Sequence, residues 1–225
     1  FYVNTWQTTD RKLVLAIGNG SQMTWVESAD NAVTFGQWEH LAAVVDRSAG
    51  TATLYVNGSQ VATGSILTDF KNEDVGCVGL MANDNYELTG GMDDPRVYTR
   101  KLSGTEISTL AGGGSPSSDG LALHYELEYD TAAVDASGNG RYATPARGAA
   151  WSAGIRGGAV CLDGDNDYIA TEYNQDLSTW TVSCRVRSPN APTTGKNTKV
   201  ISRYKNFQIY WDQSSTPAGG NLCVG

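Results

Sequence analysis

The stretch GGMDDPRVYTRKLSGTEISTL, residues 90–110, decides how the chain is interpreted. Its first half has the pattern of a β-strand, and SGTEISTL predicts a short helix. Ser103 is the expected N-cap of this helix, and Glu106, three residues later, completes a capping box. A strand followed by a short helix is a natural end for a domain, yet the chain continues to residue 225.

The residues before this stretch predict an all-β protein. The run WEHLAAVVDRSAGTATLYVNGSQVATG, residues 38–64, contains two alternating strands joined by a turn. Asn57-Gly58 then predicts a tight turn into a third strand. Turn residues recur about every 8 to 12 residues along the chain, which is the spacing of a β-sandwich or barrel.

The segment AGGGSPSSDG, residues 111–120, divides the chain in two. It is rich in Gly, Ser and Pro and has no apolar periodicity, so it predicts a linker over residues 111–119. The linker joins residues 1–110 to residues 120–225. Neither part repeats the other.

Motifs in both parts resemble one known family. W-x-H-L-A-A-V-V-D, LYVNG and GGMDD-x-RVY-x-R-x-L-S-x-x-EI resemble the C-terminal half of a laminin G-like domain of the concanavalin A-like superfamily. LALHYELE, VDASGNGRYAT, WSAGIRGGAVCLDG and WTVSCRVR resemble the N-terminal half. The resemblance implies a jelly-roll sandwich of two antiparallel sheets with one short helix, and its halves occur in circularly permuted order.

Two arrangements are compatible with that order. The termini of this family's sandwich lie side by side, so a linker of about 10 residues, which spans up to roughly 30 Å, lets one chain close on itself. Alternatively, the chain is one period of a tandem array or fibre, and strand exchange between neighbours completes each sandwich. The second arrangement leaves open strand edges, which proteins normally suppress, so the self-closed domain is favoured.

Composition limits the partners and the location. The 24 acidic residues exceed the 16 Lys and Arg residues, and the net charge of −8 makes nucleic acid or an anionic membrane surface a poor partner. No apolar run approaches the ~18 to 20 residues that a membrane-spanning helix needs, so membrane insertion is not expected. The chain begins FYVNTW, without Met or a signal sequence. We therefore expect a piece of a longer extracellular or cell-surface protein.

Four cysteines are spread along the chain, without the C-x-x-C pairs of a zinc site. They are Cys77, Cys161, Cys184 and Cys223. One or two disulfides fit an exported protein, and four buried thiols fit equally well, so both interpretations stay open.

The six tryptophans divide into two groups. By the resemblance, Trp38, Trp151 and Trp180 face the core. The other three lie in strands of the concave sheet, where related lectins and glucanases bind sugars. An exposed aromatic ring there can stack on a pyranose while polar neighbours bind its hydroxyl groups. The predicted glycan-binding residues are Trp6, Trp25, Gln208, Tyr210 and Trp211.

Aspartates in loops predict a calcium site, because calcium prefers hard oxygen ligands. The resemblance implies a structural calcium ion near the start of the last strand of the family's domain, here at Asp93 or Asp94. Asp135 in DASGNG and Asp163 in LDGDNDY are further candidate ligands. The alternative is that these side chains form turns by bonding to the backbone.

Catalysis is weighed against binding at Glu126 and Glu128. On one predicted strand these two residues face the same side, which places their carboxylates at about the 5 to 5.5 Å separation that a retaining glycoside hydrolase needs. However, ELEYD lacks the E-x-D-x-E pattern of the superfamily's hydrolases, so two solvated glutamates are favoured. His40 is interpreted as a hydrogen-bonded structural residue, which leaves a Ser-His-Asp site without support.

The expected function is a non-enzymatic extracellular binding or adhesion module that recognises a glycan or an extracellular protein. The first alternative is a structural repeat of a surface fibre or adhesin that self-associates by strand exchange. A glycoside hydrolase is the alternative with the least support.

Overall fold

The computed structural model describes residues 2–4, 11–19, 21–69, 76–78, 88–128, 133–165, 167–171, 173, 177–189, 197–198, 200–203, 207–208 and 210–212. Within these ranges no helix has both the length and the apolar character to cross a membrane.

The first part of the chain contributes eight of the described strands and the helix. They are β1 (Tyr2–Asn4), β2 (Lys12–Gly18), β3 (Met23–Glu27), β4 (Glu39–Asp46), β5 (Thr51–Val56), β6 (Ser59–Ser65), β7 (Gly76–Val78), β8 (Thr89–Tyr98) and α1 (Gly104–Ala111). The strands of the second part are β9 (Leu121–His124), β10 (Ala143–Ala146), β11 (Ala150–Ala153), β12 (Gly158–Asp163), β13 (Tyr168–Thr171), β14 (Thr179–Arg187), β15 (Asn197–Thr198), β16 (Ile201–Arg203), β17 (Phe207–Gln208) and β18 (Tyr210–Asp212).

The three-strand meander predicted over residues 38–64 is confirmed. β4 pairs with β5 and β5 pairs with β6, both antiparallel. Asn57 and Gly58 have φ angles of 49° and 81°, as a two-residue hairpin turn of this kind requires. The Asn57 side chain adds a second constraint, since its Oδ1 accepts the backbone N–H of His40 at 2.9 Å.

The described strands form two sheets. The first has the order β10-β13-β7-β16-β17-β2-β1-β18-β15, with β3 paired to β2. The second has the order β11-β12-β8-β14-β4-β5-β6, with β9 paired to β8. The pairs are antiparallel apart from β1 with β18, which is parallel. The predicted concanavalin A-like sandwich is confirmed, with one short helix among the described residues. The parallel pair is a feature that the sequence did not indicate.

The two parts of the chain interleave in both sheets. In the second sheet, β14 lies between β4 and β8, and β12 also pairs with β8. In the first sheet, β7 lies between β13 and β16. Each part therefore supplies central strands that the other part flanks. The circular permutation and the division into residues 1–110, 111–119 and 120–225 stay predictions.

The core lies between the sheets and draws on both parts. Leu41 and Leu54 from the first part pack in one cluster with Trp180 from the second, and each is at most 1% exposed. The prediction that Trp180 faces the core is confirmed. Trp151 is half-buried and packs against the same cluster, and Trp38 is half-buried.

Helix α1 packs on the outer face of the second sheet. The predicted capping box is confirmed, because Ser103 Oγ accepts the N–H of Glu106 while Glu106 Oε2 accepts the N–H of Ser103 at 2.9 Å. Ile107 and Leu110, one turn apart, are buried against a cluster that includes Tyr98. Burying two such side chains stabilises the helix by roughly 1.5–3 kcal/mol each.

The segment after α1 is fastened to the second part of the chain. Arg185 Nη2 donates to Leu110 O at 2.9 Å and to Ala111 O at 2.7 Å, and Arg156 Nη2 donates to Gly112 O at 3.3 Å. The last carbonyls of a helix have no partner within the helix and carry partial negative charge, so they favour cationic donors. The start of the predicted linker is therefore bound by two arginines.

Cys184 on β14 is a free and fully buried thiol. Burial raises its pKa, which keeps the thiol protonated. The interpretation as a buried thiol is therefore confirmed for this residue. Two disulfides would need all four cysteines, so the remaining three can supply one disulfide at most.

Candidate functional site

Trp25 lies on the outer face of the first sheet. Along β3 the side chains alternate, so Val26 packs in the core while Met23, Trp25 and Glu27 face away from it. Trp25 is 52% exposed and Met23 is 42% exposed. β3 therefore presents an aromatic ring to solvent, flanked by a thioether and a carboxylate. We call Met23, Trp25 and Glu27 the Trp25 face.

A hydrogen-bonded turn holds the Trp25 face in place. Between β2 and β3, Asn19 Oδ1 accepts the backbone N–H groups of Ser21 at 3.0 Å and of Gln22 at 2.7 Å. An asparagine that bonds to the backbone two and three residues later is a common way to fix such a turn. At the other edge of β3, Leu67 donates its N–H to Thr24 Oγ1 at 3.3 Å. The β2-β3 turn and the hydrogen bond from Leu67 thus fix the position of β3 and of Trp25.

Another predicted ligand residue shares a row of the sheet with Trp25. The backbone register pairs Trp25 with Ala16 on β2, and it pairs Ala16 with Gln208 on β17. Ala16 is buried on the side of the sheet opposite the main core. The sequence prediction named Trp25 and Gln208 separately, and the fold brings their backbones into one row.

The other predicted ligand positions are distributed over different rows. The backbone register pairs Tyr210 with Tyr2 on β1, and it pairs Tyr2 with Val14 on β2. Val14 lies on the same side of β2 as Ala16. Trp211 pairs with Val3 on β1, and Val3 pairs with Leu13, a residue of the main core. Trp6 lies outside the described residues. The assignment of these residues to a glycan site stays a prediction.

The far end of the Trp25 face is charged. Lys12 Nζ lies 3.9 Å from Glu27 Oε2 and 3.4 Å from Asp30 Oδ1. The Glu27 and Asp30 side chains are 40% and 64% exposed, so both carboxylates are accessible to solvent. Ion pairs of this exposure contribute about 0–1 kcal/mol, so they hold Lys12 only loosely.

Asp94, a predicted calcium ligand, is already paired with basic groups. Its Oδ1 accepts hydrogen bonds from His124 Nε2 at 2.7 Å and from Arg96 Nε at 2.9 Å. Burial by itself would raise the pKa of Asp94, but these two partners outweigh burial and lower it. A carboxylate held by a guanidinium and an imidazole does not fit a calcium ligand. This buried cluster was not predicted from the sequence, although His124 lies in the quoted LALHYELE motif.

Asp93 makes a different contact. It is 1% exposed, and its Oδ2 accepts the N–H of Ile155 at 3.1 Å. Burial, assisted by the like charge of Asp94, raises the pKa of Asp93 to about 6. Asp93 therefore fastens the turn between β11 and β12 to the bend of β8. Asp94 at this bend has a φ of 54°, a conformation that is uncommon for residues other than glycine.

The remaining predicted calcium ligands shape loops. Asp135 accepts backbone N–H groups from Ser137 and Arg141, each at 3.0 Å, and Asp163 Oδ1 accepts the N–H of Asp165 at 2.8 Å. These contacts are the turn-forming alternative considered above. Among the described residues, no group of three or more His, Cys, Asp or Glu side chains is arranged to hold a metal ion. Calcium binding stays a prediction.

The predicted strand through Glu126 and Glu128 is wrong. β9 ends at His124, and Leu127 takes a φ of 54° with its side chain buried at 2% exposure. The chain turns here to bury Leu127, so the two glutamates no longer alternate on a regular strand. Glu128 Oε2 instead accepts the N–H of Gly158 at 2.8 Å. The geometric basis for a pair of catalytic carboxylates is therefore lost.

His40 is structural but lacks the predicted hydrogen bond to its ring. It is 2% exposed, and neither ring nitrogen has a hydrogen-bond partner in the described part of the chain. Burial, with the positive charge of Arg185 beside it, lowers the pKa of His40 to about 4. The ring is therefore neutral at pH 7. No local pattern indicates this lowered pKa, because His40 lies beside Arg185 only through the register of β4 and β14.

Comparison with known families agrees with this fold. Residues 1–108 match a laminin G family model described as the concanavalin A-like lectin/glucanases superfamily. This part of the chain is therefore similar to that superfamily. No curated protein and no solved structure matched the chain. The match suggests a module that binds carbohydrate or protein, and the name of the superfamily covers both lectins and enzymes.

Proposed function

We propose that this chain is an extracellular glycan-binding module and that Trp25 is its main contact with the sugar. The observation that carries the proposal is the exposure of Trp25, 52%, on a sheet face of a concanavalin A-like sandwich. Large aromatic side chains are normally buried, so an indole held open to solvent on a rigid strand is a candidate contact surface.

The chemistry of an indole suits a sugar. One side of a pyranose ring carries mainly C–H groups, which pack against a flat aromatic surface, while its hydroxyl groups need polar neighbours. Gln208 shares the backbone row of Trp25 and is the nearest predicted polar position in the register. The proposed site is an open face, so it suits one or a few residues of a longer polysaccharide.

The affinity expected from such a face is low. If a sugar covers the exposed half of Trp25, about 130 Å² of apolar surface leaves water, which is worth roughly 3 kcal/mol at about 25 cal/mol per Å². This corresponds to a dissociation constant on the order of millimolar for a single contact. Useful retention on a polysaccharide then comes from several modules or several contacts acting together.

The test is affinity gel electrophoresis of the whole chain against a panel of neutral, acidic and amino polysaccharides. Trp25→Ala is expected to abolish the retardation that the unmodified chain shows. Tyr142→Ala is the matched control, because Tyr142 is a 57% exposed aromatic residue in the second part of the chain. Equal retardation of the unmodified chain and Trp25→Ala would refute the site.

The absence of binding to every polysaccharide, with thermal unfolding unchanged, would refute glycan recognition. It would favour the alternative of a structural repeat.

A further inference from the structure

The Trp25 face ends in negative charge. Glu27 is two residues from Trp25 on the same strand and faces the same side of the sheet. Two residues along a strand are separated by roughly 6.6 Å, about the width of one sugar residue. Asp30 lies three residues beyond Glu27, the last residue of β3, and its side chain is 64% exposed. A sugar lying on the indole therefore places its substituents within reach of the Glu27 carboxylate.

Among the residues that the structure describes, one cation is paired with this negative charge. Lys12 is the cation paired with both Glu27 and Asp30, at 3.9 Å and 3.4 Å. Within the described part of the chain, one ammonium group thus faces two exposed carboxylates. The whole chain carries a net charge of −8, which adds a long-range field of the same sign.

We propose that the Trp25 face selects glycans that carry a free amino group, that is, oligomers of an amino sugar such as glucosamine. This inference rests on the proposed glycan-binding function. The ring packs on Trp25, and its protonated amino group lies toward Glu27 and Asp30. The positive charge is also attracted to the face of the indole, which is the strongest aromatic partner of a cation. Carboxylated and sulfated polysaccharides are repelled by the same two carboxylates.

The test compares two ligands that differ in one group. Glucosamine oligomers and N-acetylglucosamine oligomers of equal length have the same ring, but only the first carries a charge. Isothermal titration at about pH 6, below the ordinary pKa of an amino group, measures both affinities at low and high salt. We expect the glucosamine oligomer to bind about tenfold more tightly at low salt and this preference to shrink as salt is added.

Two variants locate the preference. Glu27→Gln is expected to reduce the preference for the glucosamine oligomer by about threefold, because it removes one of the two carboxylates that face the amino group. Asp119→Asn is the matched control, because it removes one negative charge at a side chain that is 84% exposed and lies outside β3. The control is expected to keep the full preference.

Each remaining outcome overturns a defined claim. Equal affinity for both oligomers overturns the amino-sugar inference and leaves the glycan proposal standing. An equal loss of preference in Glu27→Gln and Asp119→Asn also overturns the amino-sugar inference, because the preference would then come from the net charge of the chain. A lysine oligomer that binds as tightly as the glucosamine oligomer replaces the sugar with a cationic peptide. Unchanged sugar binding in Trp25→Ala overturns Trp25 as the sugar contact, and with it the amino-sugar inference, and the absence of binding to either oligomer overturns the proposed function.

Discussion

The buried carboxyl group of Asp93 makes the stability of the fold depend on pH. Its pKa is raised to about 6, from an ordinary value of 3.8, first by burial and then by the charge of Asp94. The folded state therefore holds a proton that the unfolded state releases between about pH 4 and pH 6. Stability from this group is fully present below pH 4 and is lost as the pH rises through 6. The difference of about 2 pKa units corresponds to about 3 kcal/mol.

The measurement compares urea unfolding of the unmodified chain with that of Asp93→Asn from about pH 4 to pH 8. The variant keeps an oxygen that can accept the N–H of Ile155 but cannot ionise. We expect the stability of the variant relative to the unmodified chain to rise by about 3 kcal/mol across this range.

Asp94→Asn is the matched control for this experiment. The pKa of Asp94 is lowered in the fold, so its contribution has the opposite sign and is lost as the pH falls. Curves for Asp93→Asn and the unmodified chain that run parallel from pH 4 to pH 8 would refute the argument that Asp93 is buried beside a like charge.

Three further predictions follow from the fold. Trp180→Ala should destabilise the chain by about 3–5 kcal/mol, because Trp180 lies in the core that both parts share. Urea unfolding of both parts should shift as a single transition, and two separate transitions would contradict a shared core. Thiol titration of the unfolded, unreduced chain should find at least two thiols, since Cys184 is free and at most one disulfide can form among the four cysteines. A count below two would exclude this arrangement. From the predicted calcium site we expect a chelator to lower the melting temperature and added calcium to restore it, because an ion bound to the folded state stabilises it. An unchanged melting temperature would contradict calcium binding.

Features that depend on near neighbours in the chain could be predicted well. The capping box of α1 needs only Ser103 and Glu106, three residues apart, and the β5-β6 turn needs only Asn57-Gly58. Alternation along β3 likewise predicts that Trp25 and Val26 face opposite sides. These predictions agree with the structure because the interactions that decide them are local.

Contacts between distant strands could not be predicted. The pairing of Asp94 with His124 depends on β9 lying beside β8, and the burial of His40 next to Arg185 depends on β14 lying beside β4. Leu127 breaks the predicted strand because burying its side chain in the core outweighs the local preference for an extended chain. In each case a long-range contact overrides or completes the local pattern.

By itself, the sequence determined the class of fold, the meander, the capped helix and the set of candidate sugar-binding residues. Only the tertiary structure decided how exposed each ring is, 52% for Trp25 and 1% for Trp180, because exposure depends on which strands pack against it. It also decided that Asp94 is paired with basic groups and that Lys12 contacts both Glu27 and Asp30. The physical reason is that burial and charge pairing depend on which strands meet, and that is settled by the closing of one core from both parts of the chain.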